Sequence, residues 1–260
     1  MHSNSHSIDW QHTLAAIWRP QRQALRPVRR LDPIRLEQLL GIERQKQAML
    51  DNTARFLRGQ ESNHALLWGA RGTGKSSLLK ALLNHFAAEG LRMIQVDKDD
   101  LLWLPEIVDQ LEDATPYRFI IFCDDLSFEA GDASYKPLKT LLDGSLELPP
   151  EHIRIYASSN RRHLVPEQQS DNLGTQVVDT ELHYGDAVED KLALSDRFGL
   201  WLSFYPPSWD AYLAIVDQLF HDYQGDRAEL HAAAKRFAMG RASHSGRTAR
   251  QFFQSYRTHN

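Results

Sequence analysis

Two rhythms of apolar residues alternate along the chain. Residues 65–68, 91–96, 117–123, 153–157 and 200–205 are short, nearly unbroken apolar runs, the pattern of strands buried on both faces. Residues 42–56, 76–88, 134–146 and 192–198 read as helices, and the acidic stretch 97–113 as mostly helical. Pro137 suits the first turn of its helix. Strands alternating with helices predict a five-stranded parallel sheet covered on both sides, a three-layer αβα arrangement. Pro206-Pro207 marks a boundary. Beyond it, residues 210–223, 227–238 and 248–256 predict three helices, a small helical unit over 206–260. The polar stretch 166–189 reads as a long loop, and residues 1–9 as disordered.

Residues 10–31 hold Arg19, Arg22, Arg26, Arg29 and Arg30 and no acidic side chain. Trp10, Leu14, Ile17 and Trp18 recur near helical spacing ahead of Pro20. One reading is a basic amphipathic arm for nucleic acid, an acidic partner or a neighbouring subunit. The other is a helix docked on the core, which the two large tryptophans favour. Asp32 and Pro33 have the form of an N-cap and first-turn pair. They predict two further helices, separated at Leu39-Leu40-Gly41-Ile42.

Chemistry enters at Gly69-Ala70-Arg71-Gly72-Thr73-Gly74-Lys75-Ser76-Ser77, which contains the phosphate-binding pattern G-x-x-x-x-G-K-S. An apolar strand precedes it and a helix follows, as the pattern requires. Glycines at 69, 72 and 74 let backbone N–H groups turn inward, where a Cβ would crowd a phosphate. The following helix adds its N-terminal dipole end. Lys75 is placed to reach the β- and γ-phosphates, and the Ser76 hydroxyl to ligate Mg²⁺. ATP and Mg²⁺ are therefore the expected ligands.

A nucleotide hydrolase needs a second acidic site at the end of a buried strand, usually beside the P-loop strand. Phe119-Ile-Ile-Phe-Cys-Asp124-Asp125 supplies it. Asp124 is assigned to Mg²⁺ and its waters, and Asp125 to the attacking water. Glu129 is the alternative to Asp125.

The single cysteine, Cys123, excludes an internal disulfide framework and a cysteine-based zinc site. The 12 histidines are scattered without metal-ligand spacing. A net charge of −4 gives no global signature of a nucleic-acid binder. The N-terminus lacks the layout of a signal peptide, and no stretch approaches the ~20 apolar residues of a membrane span. A soluble, cytoplasmic protein is expected.

Taken together, these motifs resemble the AAA+ superfamily of oligomeric ATPases over about residues 34–257. Asp124-Asp125-Leu-Ser-Phe resembles the Walker B of bacterial replication initiators, whereas most AAA+ proteins carry Asp-Glu. Ser158-Ser159-Asn160 resembles sensor-I, where Asn160 would touch the γ-phosphate or its water. Leu194-Ser-Asp-Arg197-Phe-Gly199 is similar to an arginine-finger segment. Ser245-Gly246-Arg247-Thr-Ala-Arg250 resembles sensor-II, with Arg247 favoured over Arg250. Leu40-Gly41-Ile42 resembles the segment that covers adenine. Several longer phrases, among them Cys-Asp-Asp-Leu-Ser-Phe-Glu129 and Leu194-Ser-Asp-Arg-Phe-Gly-Leu-Trp-Leu-Ser-Phe-Tyr205, are similar to a bacterial family of AAA+-like ATPases classed as a domain of unknown function.

The resemblance implies an N-terminal arm or helix over 1–33, an AAA+ nucleotide-binding domain over 34–205 and a helical lid over 206–260. It implies ATP hydrolysis coupled to remodelling or loading of a protein or nucleic-acid client, in a homo-oligomer formed with ATP. A slow nucleotide-dependent switch that recruits partners is the competing reading, and a small-molecule kinase a third. Arg197 could instead pair with an acid of its own subunit. Arg161 and Arg162 read as solvated or structural. The loop Ala130-Gly-Asp-Ala-Ser-Tyr135 is a weak candidate for threading a polypeptide.

Overall fold

The computed structural model describes residues 8–128, 134–143, 149–162, 164 and 193–257. Strands β1 (Ala15–Arg19), β2 (Ala24–Pro27), β3 (Ala65–Gly69), β4 (Leu91–Gln95), β5 (Arg118–Cys123), β6 (Ile153–Ser159) and β7 (Leu200–Phe204) form one sheet. Its order is β2-β1-β4-β5-β6-β3-β7. The five apolar runs of the sequence are β3 to β7, all paired in parallel. The sheet nevertheless has seven strands, not five, because residues 15–27 form a strand pair where a docked helix was expected.

β1 runs parallel to β4 and antiparallel to β2, and Gln23, at φ 46°, forms the turn between them. Ala15-Ala16-Ile17-Trp18 is a continuous apolar run, which periodicity alone cannot assign to helix or strand. The tryptophans do bury. Trp10 meets Phe119 edge-on at 4.9 Å, and Trp18 lies near Trp103 at 6.1 Å. The segment after Asp32 and Pro33 also departs from expectation. Its first helix is only a 3₁₀ turn, Leu36–Gln38, and α1 (Glu43–Leu57) follows Gly41.

Side chains alternate along each central strand, so successive residues enter different cores. Phe119 and Ile121 of β5 join Leu66, Ile155 and Ala157 on one face. There they pack with Ile107 of α3 (Leu104–Asp109) and Leu138 of α4 (Lys136–Asp143). Ile120 and Phe122 join Leu67 and Tyr156 on the other face, against Met49 and Phe56 of α1 and Leu78 and Leu82 of α2 (Lys75–Phe86). Continuous apolar strands are stable only when both faces are covered in this way. Cys123 is buried in the first core, which pushes its thiol up to about 12.

Three helices, α5 (Trp209–Leu219), α6 (Arg227–Gly240) and α7 (Gly246–Arg257), form the C-terminal unit that the sequence leads one to expect as a lid. Ser208 caps α5 and Asp226 caps α6, each accepting a first-turn N–H. The lid has its own core around Tyr212, Phe220, Leu230 and Phe252. It is pinned to the sheet domain where Gln218 Nε2 donates to the Glu37 carbonyl at 3.0 Å.

Candidate nucleotide site

β3, β5, β6 and β7 run parallel, so their C-terminal ends emerge on one side of the sheet. β6 lies between β5 and β3. The carboxylate strand is therefore one strand removed from the P-loop strand, contrary to the usual adjacency, and β6 carries Asn160 into the gap. A cavity of about 760 Å³ opens there.

The P-loop arches from β3 to α2. Lys75 is 7% exposed, and its Nζ donates to the carbonyls of Gly69 (2.7 Å) and Ala70 (2.8 Å) and to Asn160 Oδ1 (3.3 Å). Burial pushes its ammonium down to about 8, against the opposing pull of Asp124 and Asp125; Arg71 and Arg247 add to the depression. Thr73 Oγ1 closes the loop on the Ala70 carbonyl at 2.8 Å. Two glycines have duties that the sequence did not disclose. A Cβ on Gly69 would fall 2.0 Å from the Phe204 carbonyl oxygen, and one on Gly72 2.7 Å from Ser245 Oγ. Both have positive φ. They let the loop approach β7 and the lid, besides leaving room for a phosphate.

Asp124 Oδ1 accepts from Ser76 Oγ at 2.7 Å and from Ser158 Oγ at 2.5 Å. Ser158 also accepts from the Asp125 N–H at 3.1 Å, so one β6 hydroxyl fixes both aspartates. Asp125 sits at φ 53°, in the left-handed region uncommon for a non-glycine residue. Its Oδ1 accepts from Asn160 Nδ2. Sequence reasoning quoted Ser158 only within the sensor-like phrase and gave it no role. Its signal was a hydroxyl two residues before the polar end of a buried strand.

Of the residues proposed from sequence, Gly41, Ile42, Arg71 to Ser77, Asp124, Asp125, Asn160 and Arg247 all line this cavity. Gly69 and Ala70, also expected here, line an adjoining hollow instead, and their carbonyls accept from Lys75 Nζ. Arg250 lines the cavity as well as Arg247. Leu39, Ile42, Ile215 and Leu219 form an apolar side, half of it from lid helix α5, which the sequence had not marked. A hydroxyl and one or two carboxylates are the oxygen set that Mg²⁺ takes when substrate phosphates supply other ligands, so Ser76, Asp124 and the P-loop fit Mg·ATP.

Arg197 lies elsewhere. It precedes β7, whose Leu200 pairs with Ala65 at the start of β3 and donates its N–H to the His64 carbonyl. The cavity is at the other end of these strands, roughly 16 Å away for five residues, farther than an arginine side chain extends. Arg197 Nε donates to Asp143 Oδ2 at 2.5 Å, and its Nη1 to the Ala193 carbonyl. Glu129 and residues 130–133 of the loop suggested for threading lie outside the described residues.

Residues 11–260 match the family described as "Protein of unknown function (DUF815)". The chain belongs to the DUF815 family. No curated protein matches it in sequence. Among solved structures, this DUF815 chain is similar to the Holliday junction branch migration motor RuvB of Thermotoga maritima, with TM-score 0.57 and 19% identity over 87% of the chain. A single-residue variant of that RuvB aligns with TM-score 0.57 and 18% identity over 88% of the chain. The DUF815 chain spans 65% of RuvB's length. The likeness is one of fold, a mostly parallel sheet between helices with the P-loop at the strand ends. Among the described residues, no helix is long and apolar enough to cross a membrane.

Proposed function

We propose that this DUF815 protein is a Mg²⁺-dependent ATPase of AAA+ type. It acts as an assembly of copies and couples hydrolysis to remodelling or loading of a protein or nucleic-acid client. The observation that carries this reading is the convergence of Lys75, Ser76–Asp124 and Asn160–Asp125 on one cavity, with lid Arg247 on its wall. The likeness to a branch migration motor supports a machine rather than a small-molecule kinase.

Ile42, Ile215 and Leu219 bind the adenine, and the P-loop N–H groups and Lys75 bind the phosphates. Ser76 and Asp124 would hold Mg²⁺, which would supply positive charge against the phosphates. Asp125 orients a water for attack on the γ-phosphorus and accepts its proton while the bond from that phosphorus to the β,γ-bridging oxygen breaks and ADP leaves, and Asn160 keeps that carboxylate in place. Arg247 neutralises charge from the lid side. Arg197 acts in trans as a finger for the nucleotide of a neighbouring copy, since its own lies at the other end of the sheet. A finger meets charge that exists only in the transition state and can be worth ~10³-fold in rate. The protein is expected to work in the cytoplasm.

A second reading, a slow switch, is favoured by one observation: Asp125 is a methylene shorter than the glutamate of most AAA+ proteins. ATP turnover against protein concentration decides between them. A machine gains specific activity as it assembles, whereas slow turnover that is flat from nanomolar to tens of micromolar protein defeats the proposal.

A further inference from the structure

Two glutamines stand on the wall of the nucleotide cavity, one from the sheet domain and one from the C-terminal unit. Gln38 ends the 3₁₀ turn Leu36–Gln38, and Gln218 lies on α5 between Ile215 and Leu219, all of them lining the cavity except Leu36 and Glu37. Residues 215, 218 and 219 share one face of their helix, so Gln218 accompanies the apolar side described above. Both amides are held by backbone groups of the same short stretch. Gln38 Oε1 accepts from the Arg35 N–H at 2.8 Å, and Gln218 Nε2 donates to the Glu37 carbonyl at 3.0 Å.

These two contacts use opposite ends of the two amides. A backbone N–H requires an acceptor and a carbonyl requires a donor, so each amide has a single orientation. What the contacts leave over is an NH₂ group at Gln38 and a carbonyl oxygen at Gln218. A donor with an acceptor nearby complements one purine and opposes the other. Adenine presents its N6 amino donor next to a ring nitrogen that accepts, whereas guanine places its O6 acceptor where that amino group would be.

We propose that Gln38 and Gln218 select adenine over guanine in this cavity. Gln218 Oε1 accepts from the N6 amino group, and Gln38 Nε2 donates to the ring nitrogen beside it. Guanine would set O6 against Gln218 Oε1, acceptor against acceptor. Gln38 belongs to the sheet domain and Gln218 to α5, so the reader is complete only while the Gln218–Glu37 bond joins the two. The inference rests on the proposed nucleotide reading and names how the base is chosen.

The test is calorimetric titration of the full-length chain with Mg²⁺ and three nucleotides: ATP, GTP and the triphosphate of purine riboside, which lacks only the N6 amino group. The wild type should bind ATP about tenfold more tightly than either of the others, the scale of a hydrogen bond lost with its partner left unsatisfied. Gln218→Leu should weaken ATP by about tenfold and leave the purine riboside triphosphate within roughly twofold, so that the preference for the amino group disappears. Gln38→Glu keeps an acceptor for the Arg35 N–H but offers the base an acceptor in place of a donor, and should narrow the ATP-to-GTP ratio about tenfold. A merely structural role in docking the C-terminal helices would weaken all three nucleotides alike. Ratios unchanged in both variants therefore overturn the assignment. A wild type that binds all three equally, and loses all three in Lys75→Ala, also overturns it and leaves the nucleotide site standing. A wild type that binds none of them removes both.

Discussion

Asn160 donates from Nδ2 to the Asp125 carboxylate while its Oδ1 accepts from Lys75 Nζ at 3.3 Å. One amide thus links the group proposed to orient water with the group proposed to hold phosphate. Asp125→Asn should bind Mg·ATP within a few-fold of wild type and lose turnover by about 10²-fold or more, the usual worth of a positioned base. Asn160→Ala should show the same division more weakly. Paired measurements of nucleotide affinity and steady-state turnover check both. Normal turnover in Asp125→Asn would transfer the role to Glu129.

The depressed ammonium of Lys75 gives nucleotide binding a pH signature. In the free protein this group loses its proton near pH 8, and bound phosphate must favour the charged form. Affinity is then complete below pH 8, and above it falls towards tenfold per pH unit, because binding must first take up a proton. Calorimetric titration at pH 7 and pH 9 should show the loss and the proton uptake. Lys75→Arg should flatten the pH dependence, and Lys75→Ala should abolish tight binding while leaving the far-UV circular dichroism unchanged.

Arg197→Ala should bind ATP normally and hydrolyse it poorly. Mixed with Lys75→Ala, it should regain part of the lost rate, because its intact P-loop can meet the other variant's intact Arg197. Mixed assemblies that form without any recovery would make Arg197 a structural partner of Asp143 alone.

His64 should make the fold sensitive to acid. It is half-buried between β3 and β6, where its Nδ1 accepts from the Ile155 N–H at 2.9 Å, and desolvation, with the Arg154 charge adding to it, holds its pKa down at about 4. The unfolded chain takes up this proton near pH 6.5, so the stabilisation is complete above that value and is lost as pH falls towards 4. The loss between pH 7 and pH 5 is about 2 kcal/mol. Urea unfolding at the two pH values should show it, and His64→Asn, which keeps an acceptor near Nδ1, should show a smaller difference.

The legible part of the site was the part written locally. Lys75, Ser76 and Asp124 announce themselves because each sits at a fixed offset from a strand end, and Asn160 follows the same rule on β6. Ser158 was quoted in that phrase without a role: a hydroxyl two residues before the polar end of a buried strand was its signal, and the meaning of that signal depends on Asp124 across the sheet. The Asp143–Arg197 pair joins residues distant in sequence, so the reading could only leave open an acid on the same subunit. β1 was misread for another reason: Ala15-Ala16-Ile17-Trp18 is apolar throughout, and its pairing with β4 is a tertiary fact. Gly69 and Gly72 were right in kind and incomplete in cause, since Phe204 and Ser245 share responsibility for them.

The P-loop touches the two chain segments that enter and re-enter the lid: the Ala70 N–H bonds to the Phe204 carbonyl, where the chain leaves the sheet, and Gly72 abuts Ser245, which caps the final helix. Mechanically, the fulcrum of the lid stands within a residue or two of the phosphate cradle. The end of α6 nearest that fulcrum is Ala238, whose carbonyl accepts from the Ser243 N–H, so any tilt there is carried outward along the helix, about 21 Å for 14 helical residues, to Arg227.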